Sequence, residues 1–282
     1  MARLFGLVMG CNNMLLFVHM HIIHSIILGI VEGLTEFLPV SSTAHLIIAS
    51  RMMHLADTDF LKSFEIIIQL GAILAVVVLY FKKIISSKTL WKKVLAGFIP
   101  TAIIGYVLYH FIKHVLIGNI VVVSCALVIG GLILIAFELF QERKTRDNLS
   151  PALVGKSLNE ITMQDAFIVG VIQSLAVIPG VSRSAATIVG GRMIGISRAA
   201  IVEFSFLLAV PVIAGAAVLD LIKTPVSFSG NEWVMLAIGT LVSFIVAIFA
   251  VQTFLKFIQK NSFATFGWYR IVVGILAFVF LR

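Results

Sequence analysis

Apolar runs long enough to cross a hydrocarbon core, about 20 residues, recur six times along the chain, at roughly 64–81, 94–112, 120–138, 201–219, 233–255 and 269–281. The last reaches spanning length only if it begins near Phe266. Two further apolar stretches, 25–54 and 166–197, are interrupted near the middle by proline and a cluster of Ser and Thr. They also hold polar groups that lipid does not tolerate. Each reads as a broken, re-entrant helix pair, because non-helical backbone at membrane depth survives only where protein or water lines it.

Composition supports this pattern. Apolar residues make up 60% of the 282 and charged residues 12%, against roughly 45–50% and 25% in a soluble domain. So few charges cannot cover a soluble globule, which excludes a cytosolic enzyme and a disordered chain. The formal charge of +8 does not point to nucleic acid, since no basic stretch is interleaved with aromatics. Cys11 and Cys125 have no metal or redox spacing and read as ordinary membrane-buried thiols. The fold class expected is an all-α polytopic membrane protein.

The two interrupted stretches resemble each other. A shift of 141 places Gly29 on Gly170, Val40-Ser41 on Val181-Ser182, Ala44 on Ala185 and Arg51-Met52 on Arg192-Met193, with eight of the 27 positions from 29 to 55 identical. Three spans follow each stretch. Because three is odd, the second copy enters from the opposite face, and the result is an inverted-topology repeat whose broken segments meet near the midplane. The expected organisation is an N-terminal extension, 1–19, with Met14 or Met20 as alternative starts, then one membrane domain, 20–282. Within that domain the first repeat covers about 25–138, a cytoplasmic linker 139–165 and the second repeat 166–282. His19, His21 and His24 read as a chain start at the interface.

Charge orients the layout. One side collects Lys82, Lys83, Lys88, Lys92, Lys93, Arg143, Lys144, Arg146, Lys156, Arg192, Arg198, Lys256, Lys260 and Arg270. The other has Arg3, Arg51, Lys62, Lys113, Lys223 and Arg282. The positive-inside rule makes the richer side cytoplasmic. Arg183 alone falls inside the bilayer.

Ionisable groups at membrane depth are costly and functional by default. Glu32 and Glu36, four apart, share one helix face, where like charges call for a shared proton, a bound cation or a facing arginine. Pro39 breaks that helix, and Ser41, Ser42 and Thr43 can cap the next, with His45 one turn on. A capped helix start is also an anion site. The second copy repeats the device in Pro179-Gly-Val-Ser-Arg-Ser-Ala-Ala-Thr187. There Ser182, Ser184 and Thr187 cluster, and Arg183 supplies a guanidinium suited to phosphate. Glu32 becomes Gln173, so one half is acidic and the other basic. Together they describe a phosphate-processing pocket.

The stretches Glu32-Gly-Leu-Thr-Glu-Phe-Leu-Pro-Val-Ser-Ser-Thr-Ala-His45 and Pro179–Thr187 closely resemble the two signature motifs of the bacterial undecaprenyl-diphosphate phosphatase family, also known as bacitracin-resistance proteins. The resemblance runs from about Met20 to Arg282 and includes Phe64-Glu-Ile-Ile-Ile-Gln-Leu-Gly71. Ala44 departs from the glycine of many members. The resemblance implies hydrolysis of undecaprenyl diphosphate in the bacterial plasma membrane, associated with a divalent cation (Mg or Ca). It also implies recycling of the lipid carrier for peptidoglycan and loss of bacitracin's target.

Expected roles follow. Arg183 clamps the diphosphate. Glu36, with Glu32, holds the cation or acts as base. Ser42 is the expected nucleophile, with His45 or water as alternatives. Ser41, Thr43, Ser182, Ser184 and Thr187 donate to phosphate oxygens. The site is expected to open to the outer face, with the prenyl tail leaving sideways into membrane lipid. Partners are the lipid substrate and bulk lipid, without nucleic acid, and a homodimer is compatible. The rival reading is a lipid-phosphate or anion carrier, which would use the same helix ends.

Overall fold

The computed structural model describes residues 18–112, 116, 118–147, 155–223 and 228–282. The expectations for Cys11, for Lys113 and for most of the 1–19 extension lie outside them. The helices are α1 (Ile22–Thr35), α2 (Ser42–Met52), α3 (Asp59–Ile67), α4 (Gln69–Leu79), α5 (Phe81–Ser86), α6 (Lys88–Phe111), α7 (Ile120–Asp147), α8 (Met163–Gln173), α9 (Arg183–Met193), α10 (Arg198–Lys223), α11 (Gly230–Ile258) and α12 (Ala264–Leu281). A 3-10 turn, Ser174–Val177, continues α8. Side chains begin these elements where the sequence changes: Thr58, Ser87, Thr162 and Ser229 each accept a first-turn N–H, satisfying donors that a helix start leaves open.

Among the described residues six helices are long and apolar enough to span: Asp59–Leu79 (α3 with α4), Lys88–Phe111, Ile120–Arg143, Arg198–Lys223, Gly230–Ile258 and Ala264–Leu281. The protein is an all-α multi-pass membrane protein. Two boundaries differ from those expected. Helix α7 runs on to Asp147, through the first part of the stretch read as linker. Helix α12 begins at Ala264, so Arg270, counted above with the cytoplasmic loop, lies inside the domain and is fully buried. The expected run, 269–281, opens at Tyr269, one residue before Arg270, and only the earlier start places that arginine well inside the span.

The two broken segments have matching geometry. Helices α1 and α8 start 141 positions apart, as do α2 and α9. Their cap serines, Ser41 and Ser182, have φ of 74° and 76°. At the far ends His54 and Gly195, also 141 apart, both have positive φ, and Leu55 and Ile196 each close an isolated parallel bridge. Each segment packs on a span from the other half: α1 along α11, and α8 along α6. Glycine is required at these crossings. A Cβ on Gly29 would stand 2.6 Å from the Gly239 carbonyl oxygen, and one on Gly170 2.0 Å from that of Gly97. In lipid, where apolar surface gains little by meeting apolar surface, such close backbone approach is what holds helices together.

Helices α4 and α10 lie at the centre, with Phe204, Phe206 and Val76 fully buried. Ile103, Val107, Phe249 and Phe280 point outward and exposed, the lipid-facing pattern of a spanning bundle. What positions the site is the pair of chain breaks, 36–41 and 178–182, enclosed by the spans.

Candidate active site

Both breaks end at a capped helix. Ser41 Oγ accepts the Ala44 N–H and Ser182 Oγ accepts the Ala185 N–H, at 3.4 and 3.2 Å. Ala44 and Ala185 are again related by 141 positions. Each cap leaves the first N–H groups of its helix open and turned to the cap side, where the helix dipole favours an anion. Ser41, Ser42 and Thr43 from one helix start, and Ser182 and Arg183 from the other, line a single cavity of about 520 Å³ together with Glu36.

Glu36 links the two halves. Ser42 Oγ donates to its Oε2 at 2.5 Å, and Arg183 Nη2 donates to its Oε1 at 3.1 Å. The Arg183 guanidinium is oriented further by the carbonyl and hydroxyl of Ser205, at 2.7 and 3.2 Å from Nη1. The Phe37 ring lies beneath it, 5.9 Å from its central carbon. A hydroxyl on a carboxylate that is itself held by a cation is the arrangement of an activated nucleophile.

Glu32 sits one helical turn behind Glu36, fully buried, within electrostatic reach of Glu36, Arg183 and Glu65. Among the described residues neither of its carboxylate oxygens meets a hydrogen-bond donor. Two facing acceptors in a dry interior call for a proton or a cation between them.

The remaining expected residues lie elsewhere. His45 is not on the cavity wall. Its Nδ1 is 2.7 Å from the Ser41 carbonyl and its Nε2 2.9 Å from the Tyr269 hydroxyl, and the two rings stack. Ser184 Oγ donates to the Phe37 carbonyl at 2.9 Å, tying α9 to the first break. Thr187 Oγ1 lies 2.8 Å from the Arg183 carbonyl and 3.1 Å from Gln173 Oε1. Gln173, the counterpart of Glu32, does line the cavity, and its amide donates to Thr101 Oγ1 at 2.9 Å.

Sequence reasoning passed over Gln69, Thr101, Tyr109, Ser205 and Asp220. Four of these line the cavity, and Ser205 holds Arg183. Gln69 falls within the resembling stretch 64–71. Asp220, an acid at the end of an apolar run, carried a signal that was not used: it is buried and accepts from Ser63 and Tyr109, each at 3.0 Å.

The family model described as bacitracin resistance protein BacA matches residues 25–276. The chain belongs to the bacitracin resistance protein family. A relative named undecaprenyl-diphosphatase from Aquifex aeolicus is 49% identical over 252 residues, covering 89% of this chain and 95% of the relative. Proteins of the same name from a Sulfurihydrogenibium species and from Persephonella marina are 48% and 46% identical, each over more than nine-tenths of both chains. The family match takes in both breaks and every residue of the cavity wall named above.

Proposed function

We propose that this chain hydrolyses undecaprenyl diphosphate to undecaprenyl phosphate and inorganic phosphate, recycling the lipid carrier for envelope polymers and depriving bacitracin of its target. The names of its relatives support the reaction. The observation that carries the mechanism is the Ser42–Glu36–Arg183 chain of hydrogen bonds at two converging helix starts.

Ser42 Oγ attacks the terminal phosphorus as its proton passes to Glu36 Oε2. The bond to the bridging oxygen breaks, and undecaprenyl phosphate leaves with that oxygen and the proton from Glu36. Glu36 then takes a proton from water as the water oxygen attacks phosphorus, and passes that proton to Ser42 Oγ as the Ser42–phosphorus bond breaks, which frees phosphate and restores the starting pair. Arg183 and the open N–H groups of α2 and α9 stabilise charge on the phosphoryl oxygens, the main source of rate in such reactions. His45, turned toward Tyr269, supports the geometry by holding the Ser41 carbonyl.

The side chains fit a divalent cation, because Glu32 offers two buried carboxylate oxygens without donors next to Glu36. Glu32 and Glu36 would hold such a cation, although among the described residues no group of three or more His, Cys, Asp or Glu is set to hold a metal. When bound it would neutralise charge on the phosphates.

The site belongs to the bacterial plasma membrane and opens outward. Lys82, Lys83, Lys92, Lys93 and Arg198 gather at the amino ends of α6 and α10, while the cavity reaches Tyr109 and Asp220 near the opposite ends. By the positive-inside rule those ends are external. Phe98, Ala102 and Gly105 of α6 face Val212, Gly215 and Ala216 of α10 across the cavity, an apolar wall suited to the prenyl chain. A carrier would share the inverted repeat, but a hydroxyl poised on a carboxylate favours chemistry.

The test is phosphate release from undecaprenyl diphosphate by protein purified in detergent, beside Arg183→Ala and Glu36→Ala, with and without chelator. The expected result is release by the wild type and a loss of at least about 10³-fold in each variant. Robust release by both variants would place the chemistry elsewhere. No release by folded wild type would favour the carrier.

A further inference from the structure

Arg270 is a charged side chain with no exposed surface, in the middle of the membrane domain. It has no part in the reaction as written. Among the described residues it forms no ion pair. Its guanidinium donates instead to three backbone carbonyls: Nη1 to Pro39 at 3.3 Å, Nη2 to Gly180 at 2.8 Å and to Ala126 at 3.2 Å. Pro39 and Gly180 are the same position in the two copies of the repeat, 141 residues apart. Each stands two residues before its cap serine and three before the residue that carries the chemistry, Ser42 in one copy and Arg183 in the other.

We propose that Arg270 is a positioning residue of this site, a single fork that locks the two chain breaks to each other and to α7, and thereby fixes the distance between Ser42 and Arg183. The inference rests on the reading that those two residues, with Glu36, form the reaction centre.

The chemistry favours arginine at this place. A chain break at membrane depth leaves carbonyls that no helix satisfies, and each must find a donor. Guanidinium has five donors in a rigid plane and keeps its charge, so it serves acceptors from separate segments at once. A lysine, with donors on one atom, cannot span both breaks in the same way. The neighbouring helix is shaped for it: a Cβ on Gly130 of α7 would come within 2.0 Å of Nη2. A displacement of the reacting groups by as little as about 1 Å costs on the order of 100-fold in rate, while substrate recognition by Arg183 and the apolar wall is largely retained. Loss of the fork therefore acts on kcat rather than KM.

The experiment measures kcat and KM for undecaprenyl diphosphate in wild type, Arg270→Met, Arg270→Lys, Gly130→Ala and Arg183→Ala, with thermal midpoint and monodispersity recorded for each. Arg270→Met is expected to lower kcat about 100-fold with KM within about threefold. Arg270→Lys should recover part of that loss, and Gly130→Ala, which crowds a native Arg270, should lower kcat in the same sense. A folded Arg270→Met protein with wild-type kcat overturns the proposal, as does a loss that merely tracks the fraction of folded protein. Should Arg270→Met fail to fold, unchanged kcat in both Arg270→Lys and Gly130→Ala overturns it equally. Turnover retained in Arg183→Ala would refute the reaction centre itself, a result distinct from any obtained at Arg270.

Discussion

The hydroxyl of Ser42 donates to Glu36 across the first chain break, at 2.5 Å. The donor opens one half-helix and the acceptor closes the other, so the break itself makes the contact. Ser42→Ala is expected to lower kcat by roughly 10⁶-fold, the scale of removing a nucleophile. Rapid quench should trap acid-stable phosphate on wild type and none on Ser42→Ala. Acid-labile phosphate would instead move the nucleophile to His45.

Cap serines with φ near 75° are strained for any residue with a Cβ. Glycine at Ser41 or Ser182 loses the cap but relieves the strain; alanine loses the cap and keeps the strain. Ser182→Ala should therefore destabilise by about 1–2 kcal/mol and Ser182→Gly by only a few tenths. Thermal midpoints in one detergent check the order, and an alanine variant more stable than the glycine variant contradicts it.

The crossings of α1 on α11 and α8 on α6 leave no room for a methyl group. Gly170→Ala and Gly29→Ala should each destabilise by about 1–3 kcal/mol, the usual cost of overpacking. Gly230→Ala, with nothing within 4 Å of the added carbon, is the control expected to be neutral. Similar melting of all three would mean the crossings are looser than they stand here.

Gly105 lines the cavity between α6 and α10, and a Cβ there meets nothing within 4 Å. Gly105→Phe should fold and fill the path proposed for the prenyl chain. KM for undecaprenyl diphosphate is expected to rise by about tenfold or more, with a much smaller change for a short-chain prenyl diphosphate. An equal change for both would move the tail to another wall.

The breaks and their chemistry were legible in the sequence because lipid makes each polar group expensive. Glu32, Glu36 and Arg183 stand out for that reason, and the 141-residue shift aligned the copies. The direction of each side chain was not legible. Successive residues at a helix start point about 100° apart, so a cluster of hydroxyls cannot all face one cavity. Ser42 and Thr43 reach it, whereas His45 turns to Tyr269 and Thr187 turns back to Arg183 and Gln173. Arg270 was hidden differently. With Trp268 and Tyr269 before it, it reads as an interfacial anchor, and only the start of α12 near Phe266 would have drawn it inside. Nothing local in sequence announces that its acceptors are the two breaks.

The exchange of partners between halves sets a schedule for the nascent chain. Gly29 reaches its seat only when Gly239 has been made, 210 residues later. At roughly 5–20 residues per second, that delay is about ten to forty seconds. Throughout it the first hairpin, with its acidic pair, has no α11 to lie against. Neither half carries all of its own packing partners, and a chain that ends before α11 lacks the span on which Gly29 sits. The crossed packing makes synthesis of nearly the whole polypeptide a condition for a working centre.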